Sequence, residues 1–185
     1  GVEIEFIDRP HDPEEWRRRI RGNTRMLFGE SIGNPGNDVH DIAAEAAIAH
    51  ERGLLLVVDN TLATPYLLRP GEHGADIVVH SASKFLGGHG SALGGVVVDY
   101  GGYDWAASPF EHLTAPDDWL HGESYVGAYG RGAYAAFARS VVASLFGPVL
   151  SPVNAFLIQQ GIETLSLRLR QQSDTALAVA RWLES

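Results

Sequence analysis

Three features of the sequence predict an α/β fold with one mostly parallel sheet flanked by helices. Leu54 to Val58 and Asp76 to His80 are short runs with apolar residues on both faces, as central parallel strands under helices require. The segment before the first run sets Val39, Ile42, Ala43, Ala46 and Ala49 at helical spacing and stops at Gly53, which makes half of a βαβ unit. Polar loops follow each run, and ligands in open α/β sheets bind outside the carboxyl ends of strands.

The elements are read in chain order. Val2, Ile4 and Phe6 alternate with Glu3 and Glu5, predicting a half-exposed strand that Pro10 and Pro13 end. Glu14 to Arg21 reads as a short helix, and Met26 to Phe28 as a strand running into the breaker-rich loop Glu30-Ser31-Ile32-Gly33-Asn34-Pro35-Gly36. Asp38 is placed to cap the following helix. After Asp59 come a loop with Pro65, a short segment with Pro70 and Gly71, and the strand to His80. Leu93 to Val98 reads as another strand, and Gly94-Gly95 within it predicts close approach of a backbone or a ligand. The sheet is therefore mixed or parallel. Tyr100 to Ser124 is irregular and long for a loop, so it is functional or needs something to pack on. Gly130 to Leu145 reads as helix, as does Ser151 to Gln160; Gly161 interrupts, and Glu163 to Gln172 and Thr175 to Glu184 are amphipathic helix.

Bulk properties exclude several functions. A formal charge of -9, without a basic patch, makes nucleic acid a poor partner. The absence of cysteine excludes disulfides, thiolate zinc sites and cysteine nucleophiles, and agrees with a reducing cytoplasm. The longest apolar run is far too short for a membrane span. His73, His80 and His89 fall in different elements without metal-ligand spacing, so no metal is expected. Gly88, Gly90 and Gly94 give G-x-G-x-x-x-G with no helix after it, which fails the dinucleotide test. There is no G-x-S-x-G elbow for a serine hydrolase. The start without methionine, on a strand, suggests a piece of a longer chain.

The chemistry concentrates between Asp59 and Gly95. Lys84 follows an apolar strand closely, which predicts partial desolvation; an amine that carries an aldehyde cofactor must be deprotonated part of the time. Asp59 ends the other apolar strand and needs a partner, which a protonated pyridine nitrogen would supply. Thr61 would lie near the ring face, Ser81 and Ser83 near a phosphate, and Asn34 near a phenolate oxygen. Taken singly, each residue also has a structural explanation: a solvated lysine, a capping aspartate, turn serines, an Asn-Pro turn. Their joint placement at successive strand ends favours pyridoxal phosphate, with Lys84 as its Schiff base.

Three motifs carry a resemblance. Ser81-Ala82-Ser83-Lys84-Phe85-Leu86-Gly87-Gly88-His89, Val57-Val58-Asp59-Asn60-Thr61 and Glu30-Ser31-Ile32-Gly33-Asn34-Pro35 resemble the signatures of the Cys/Met-metabolism family of pyridoxal-phosphate enzymes, which have the fold-type I transferase architecture. Ser83 stands where that family usually has threonine. Within it, the long segment Tyr103 to Gly122 and the stretch Ser151 to Leu165 are similar to the O-acetylhomoserine sulfhydrylase branch. The resemblance implies a γ-replacement in which O-acetyl-L-homoserine and sulfide give L-homocysteine and acetate, with Lys84 moving protons on the substrate. A γ-lyase or a cystathionine γ-synthase of the same family would use the same residues, and a cofactor-less binding or assembly module would use none. It further implies that residues 1–165 are the central part of the cofactor domain, with its N-terminal part absent, and that 166–185 lead toward an absent C-terminal domain. A homo-oligomer, a dimer of dimers, is also implied, and the isolated chain is expected to be inactive.

Overall fold

The computed structural model describes all of residues 1–185. Its centre is a four-stranded sheet in the order β1 (Met26–Glu30), β2 (Leu55–Asp59), β3 (Ile77–Ser81), β4 (Gly95–Asp99). The first three strands run parallel and β4 is antiparallel to β3, so the sheet is mixed. Glu30 pairs with Asp59 and Asp59 with Val79, which brings the carboxyl ends of the parallel strands to one edge.

Helices α1 (Pro13–Arg19) and α2 (Ile42–Glu51) cover one face, and a single helical turn, α3 (Thr64–Leu67), follows β2. Leu56, Val58 and Val78 point that way and pack with Trp16, Ile48 and Ala49. The alternate residues Leu55, Val57 and Ile77 point to the other face, as strand geometry dictates. There they meet Trp105, Leu113, Tyr125 and Ala133, all buried. The irregular segment 100–124 is therefore a packed layer over the sheet, with α4 (Glu111–Thr114) inside it and α5 (Tyr125–Tyr129) and α6 (Ala133–Phe137) following. Trp105 stacks on Tyr134 at 5.3 Å and lies edge-on to Tyr103 at 4.9 Å.

After α6 a π-helical turn, Ala138–Val142, leads into α7 (Ala143–Phe146), and Gly147 stops it in a left-handed conformation. Helix α8 (Pro152–Glu163) begins at Ser151, whose hydroxyl caps the Asn154 amide, and α9 (Leu165–Leu183) follows almost directly. Ile158, Leu165 and Leu169 from these helices pack on Ala82 and Leu86, the turn after β3.

Four expectations are corrected. Residues 2–6 form no strand: no neighbour offers a ladder, Val2 and Phe6 stay exposed, and Glu5 is held instead by Arg19 and Arg21. Helix α2 is capped by Asp41, whose carboxylate accepts the Ala44 amide, because Asp38 sits in a turn closed by the Ile32–Val39 bridge. Gly161 does not interrupt α8, which continues to Glu163; a Cβ there would overlap the Gly87 carbonyl, so glycine permits contact between two backbones. The final helix is one element from Leu165 to Leu183, without a break between 172 and 175.

Candidate active site

The strand ends at Glu30, Asp59 and Ser81 carry the site, and two latches hold their loops together. The Ser81 amide donates to the Thr61 hydroxyl at 2.7 Å, joining the loop after β2 to the end of β3. Deeper, the Ser31 hydroxyl donates to Asn60 Oδ1 at 2.7 Å, and Asn60 Nδ2 donates to the Leu68 carbonyl at 2.8 Å. Ser31 and Asn60 are fully buried, which makes these bonds costly to leave unmade. Beneath them His80 Nδ1 donates to the Asn60 carbonyl at 3.1 Å, and burial pushes the imidazole below its ordinary pKa.

Asp59 is half-buried at the end of β2. Its Oδ1 accepts the Thr61 amide at 2.8 Å, and Oδ2 takes no hydrogen bond within the chain. Lys84 lies in a π-helical turn, Ala82–Leu86, and departs from helical dihedrals at φ -90°, ψ -123°. Its amine has no hydrogen-bond or ion-pair partner in the chain. Contrary to the desolvation expected from its neighbours, the side chain is exposed. Ala82 and Leu86, two positions to either side, are the residues of this turn buried against the α8–α9 cluster.

The two serines differ. Ser83 Oγ accepts the Gly94 amide at 3.0 Å and donates to the Gly94 carbonyl at 3.3 Å, which ties the lysine turn to the entry of β4. Ser81 Oγ makes no such bond. Gly94 was expected to allow close approach of a backbone or a ligand; what approaches it is instead a side chain, since a Cβ there would lie 2.6 Å from the Ile158 Cδ1 atom. Asn34 is exposed in the loop after β1, its own amide donating to Glu30 Oε2 at 2.9 Å and its side chain unpaired. That loop is anchored by His40, whose Nδ1 donates to the buried Glu45 carboxylate at 2.7 Å; this bond holds the imidazole above its ordinary pKa.

An unpaired primary amine, a carboxylate with one open oxygen and a free hydroxyl, all at the ends of β2 and β3, fit the lysine, ring-nitrogen and phosphate contacts of pyridoxal phosphate. Ser31 and Asn60 were not singled out from the sequence. Ser31 and Asn60 do lie inside quoted motifs, and an amide directly after a buried strand was the available signal.

O-acetyl-L-homoserine sulfhydrylase of Leptospira meyeri is 43% identical across the whole chain, which covers 43% of that protein. Homocysteine/cysteine synthase of Saccharomyces cerevisiae is 41% identical across the whole chain, which covers 42% of it. The chain thus spans less than half the length of these relatives. A crystal structure described as an O-acetylhomoserine (thiol)-lyase from Campylobacter jejuni, with N'-pyridoxyl-lysine-5'-monophosphate, superposes with a TM-score of 0.89 at 32% identity, covering 95% of this chain and 44% of that one. The model of the Cys/Met metabolism PLP-dependent enzymes matches residues 1–185 end to end, and the chain belongs to that family.

Proposed function

We propose that this chain is the cofactor-holding part of an O-acetylhomoserine sulfhydrylase, which exchanges the acetate on Cγ of O-acetyl-L-homoserine for sulfide and releases L-homocysteine and acetate. The observation that carries the reading is that Asp59 keeps an open carboxylate oxygen at the end of β2 while Lys84, unpaired in the chain, lies in the turn after the adjacent strand β3. The likeness of this chain, along all of its residues, to parts of sulfhydrylases and homocysteine synthases supports it. Bound pyridoxal phosphate supplies an electron sink conjugated to the substrate's amino carbon.

The chain's residues divide the remaining work. Asp59 Oδ2 would accept a hydrogen bond from a protonated ring nitrogen, while the Thr61 amide, holding Oδ1, fixes the carboxylate's direction. Ser81 Oγ would donate to the phosphate. Ser83 fixes the turn on Gly94 and so aims Lys84. Asn34 would donate its side-chain amide to the phenolate oxygen. Lys84 Nζ would take the proton from substrate Cα and deliver it along the side chain, a task that an exposed, unpaired amine permits. Residues 1–165 are read as the central part of the cofactor domain, with 166–185 leading to a further domain. The assembled enzyme is read as a cytoplasmic dimer of dimers, and no helix of the chain is long and apolar enough to cross a membrane.

The test uses full-length protein. An absorbance band near ~420 nm that borohydride abolishes, and that Lys84→Ala lacks, reports the lysine-linked cofactor. Sulfide-dependent homocysteine formation without ketoacid release identifies the sulfhydrylase. Ketoacid release as the main reaction would replace this reading with a γ-lyase, and absence of the band would remove the cofactor role.

A further inference from the structure

We propose that Arg168 is the positioning residue for Lys84, an inference that rests on the reading of Lys84 above. Arg168 lies in the first turns of α9, between the buried Leu165 and Leu169. Its Nη1 and Nη2 both donate to the Phe85 carbonyl at 3.0 Å, and Nη2 also reaches the Leu86 carbonyl at 3.3 Å. The guanidinium is itself oriented from behind: Nη2 donates to the Gly161 carbonyl at 2.8 Å, and Nε to the Thr164 hydroxyl at 3.1 Å. No carboxylate pairs with it. A fixed charge has therefore been aimed at carbonyls, three of them, two belonging to the residues directly after Lys84.

These bonds close a frame around the lysine. Upstream, Ser83 is pinned to both backbone groups of Gly94. Downstream, the Lys84 carbonyl accepts the Gly88 amide at 2.8 Å, and the next two carbonyls are taken by Arg168. Gly88 and Gly161 leave room for this: a Cβ on Gly88 would strike the guanidinium, and one on Gly161 would strike Gly87. A cation at the carbonyl end of a helical turn also opposes the partial negative charge collected there. With the peptides on both sides of Lys84 held, its Cα–Cβ bond has one direction. That matters for an amine that must meet a cofactor and later carry a proton between substrate carbons, since a misplacement near 1 Å can lower a rate about 100-fold. Phe85 and Arg168 are far apart in sequence, so only the docked C-terminal helices can supply this restraint.

The test uses full-length protein carrying Arg168→Gln, Thr164→Val or, as a control on the same helix, Arg170→Gln. In cofactor-free protein, Arg168→Gln is expected to speed amide hydrogen exchange at Phe85 to Gly88 by about tenfold or more while β1 and β2 keep their protection. In loaded protein it is expected to lower kcat about tenfold or more with KM within about threefold, the pattern of lost transition-state geometry. Thr164→Val is expected to act in the same direction but less, and Arg170→Gln not at all. It also decides the matter should Arg168→Gln fail to fold, because it keeps the charge and removes one anchor. Unchanged exchange at Phe85 to Gly88, or protection lost evenly across the sheet, would overturn the proposal. An unsubstituted protein with no band near ~420 nm would instead sink the reading of Lys84, while the exchange result still decides whether Arg168 fixes the turn.

Discussion

Replacing Gly161 by alanine separates two accounts of one helix position by sign. At an ordinary mid-helix site Gly→Ala gains about 1 kcal/mol of stability, because alanine has the better helix propensity. At 161 the added methyl would overlap the Gly87 carbonyl oxygen and sit 2.6 Å from its carbon. Carbon atoms prefer separations of roughly 3.5–4 Å, so relief needs about 1 Å of movement. The obstacle is backbone, and Gly87 is held in turn by its bond to the Ala82 carbonyl, so no side chain can swing aside. Overpacking of this kind costs about 1–3 kcal/mol; taking the upper end and subtracting the propensity gain leaves a net loss of roughly 2 kcal/mol. Urea unfolding of parent and variant in the same full-length background measures the difference. Because relief moves α8 off the lysine turn, the variant should also lose lysine-linked absorbance near ~420 nm at limiting cofactor. A Gly161→Ala protein as stable as its parent, or more so, would show that α8 does not touch the Lys84 turn, and the frame built on that contact would fall.

Other expectations follow from the same geometry. Asn60→Ala should destabilise by roughly 2–4 kcal/mol, since it leaves the Leu68 carbonyl and Ser31 hydroxyl unpaired in the interior; a loss under about 1 kcal/mol in denaturant unfolding would argue against a dry site. Leu113→Ala should cost about 2–5 kcal/mol, and a surface-like value would mean that segment 100–124 is not part of the core. The half-buried His40 and the buried His80 should tilt stability in opposite directions. His40 has its pKa raised in the fold by Glu45, so its contribution is complete below about pH 6.5 and fades as pH rises through the folded value. His80 has its pKa lowered by burial, so its contribution holds above about pH 6.5 and is lost as pH falls through the depressed value. Unfolding free energies from pH 5 to 9 for His40→Gln and His80→Gln, each subtracted from the parent, should show those two slopes; matching slopes would refute the assignment.

The parts of the fold visible from sequence were those where local chemistry and tertiary demand coincide. Leu55 to Val58 had to be buried on both faces, and Gly94 had to admit a neighbour. Residues 2–6 misled because alternation describes a side-chain pattern, whereas a strand needs a partner backbone, which a sequence pattern does not supply. Asp38 and Asp41 are both competent caps three residues apart; the bridge at Val39 chooses between them, and it depends on Ile32 across the loop. Gly161 looked like a helix breaker because the Gly87 backbone that explains it lies in another element. Among the candidate site residues, Asp59 stood out as a carboxylate ending an apolar run and Lys84 as an amine in the loop after another. The commitment of Ser83 to Gly94 was not, because a serine beside a lysine has the same appearance whether its hydroxyl faces a ligand or a backbone. The exposure of Lys84 was misread for a related reason: the burial of Ala82 and Leu86 shows which way a turn faces only once α8 and α9 are in place.

The reach of the Arg168 bonds has a consequence for the order of folding. Ser83 meets Gly94 across 11 residues, whereas Arg168 meets Phe85 across 83. Short loops close at lower entropic cost than long ones, and a chain made on the ribosome presents its N-terminal parts first. The sheet and the β3–β4 connection can therefore form while the lysine turn still lacks its downstream restraint. Lys84 acquires its final direction only when α9 docks, so cofactor capture is expected to be a late event in biosynthesis. Pulse-labelled refolding should show protection at β2 and β3 preceding protection at Phe85 and Leu86.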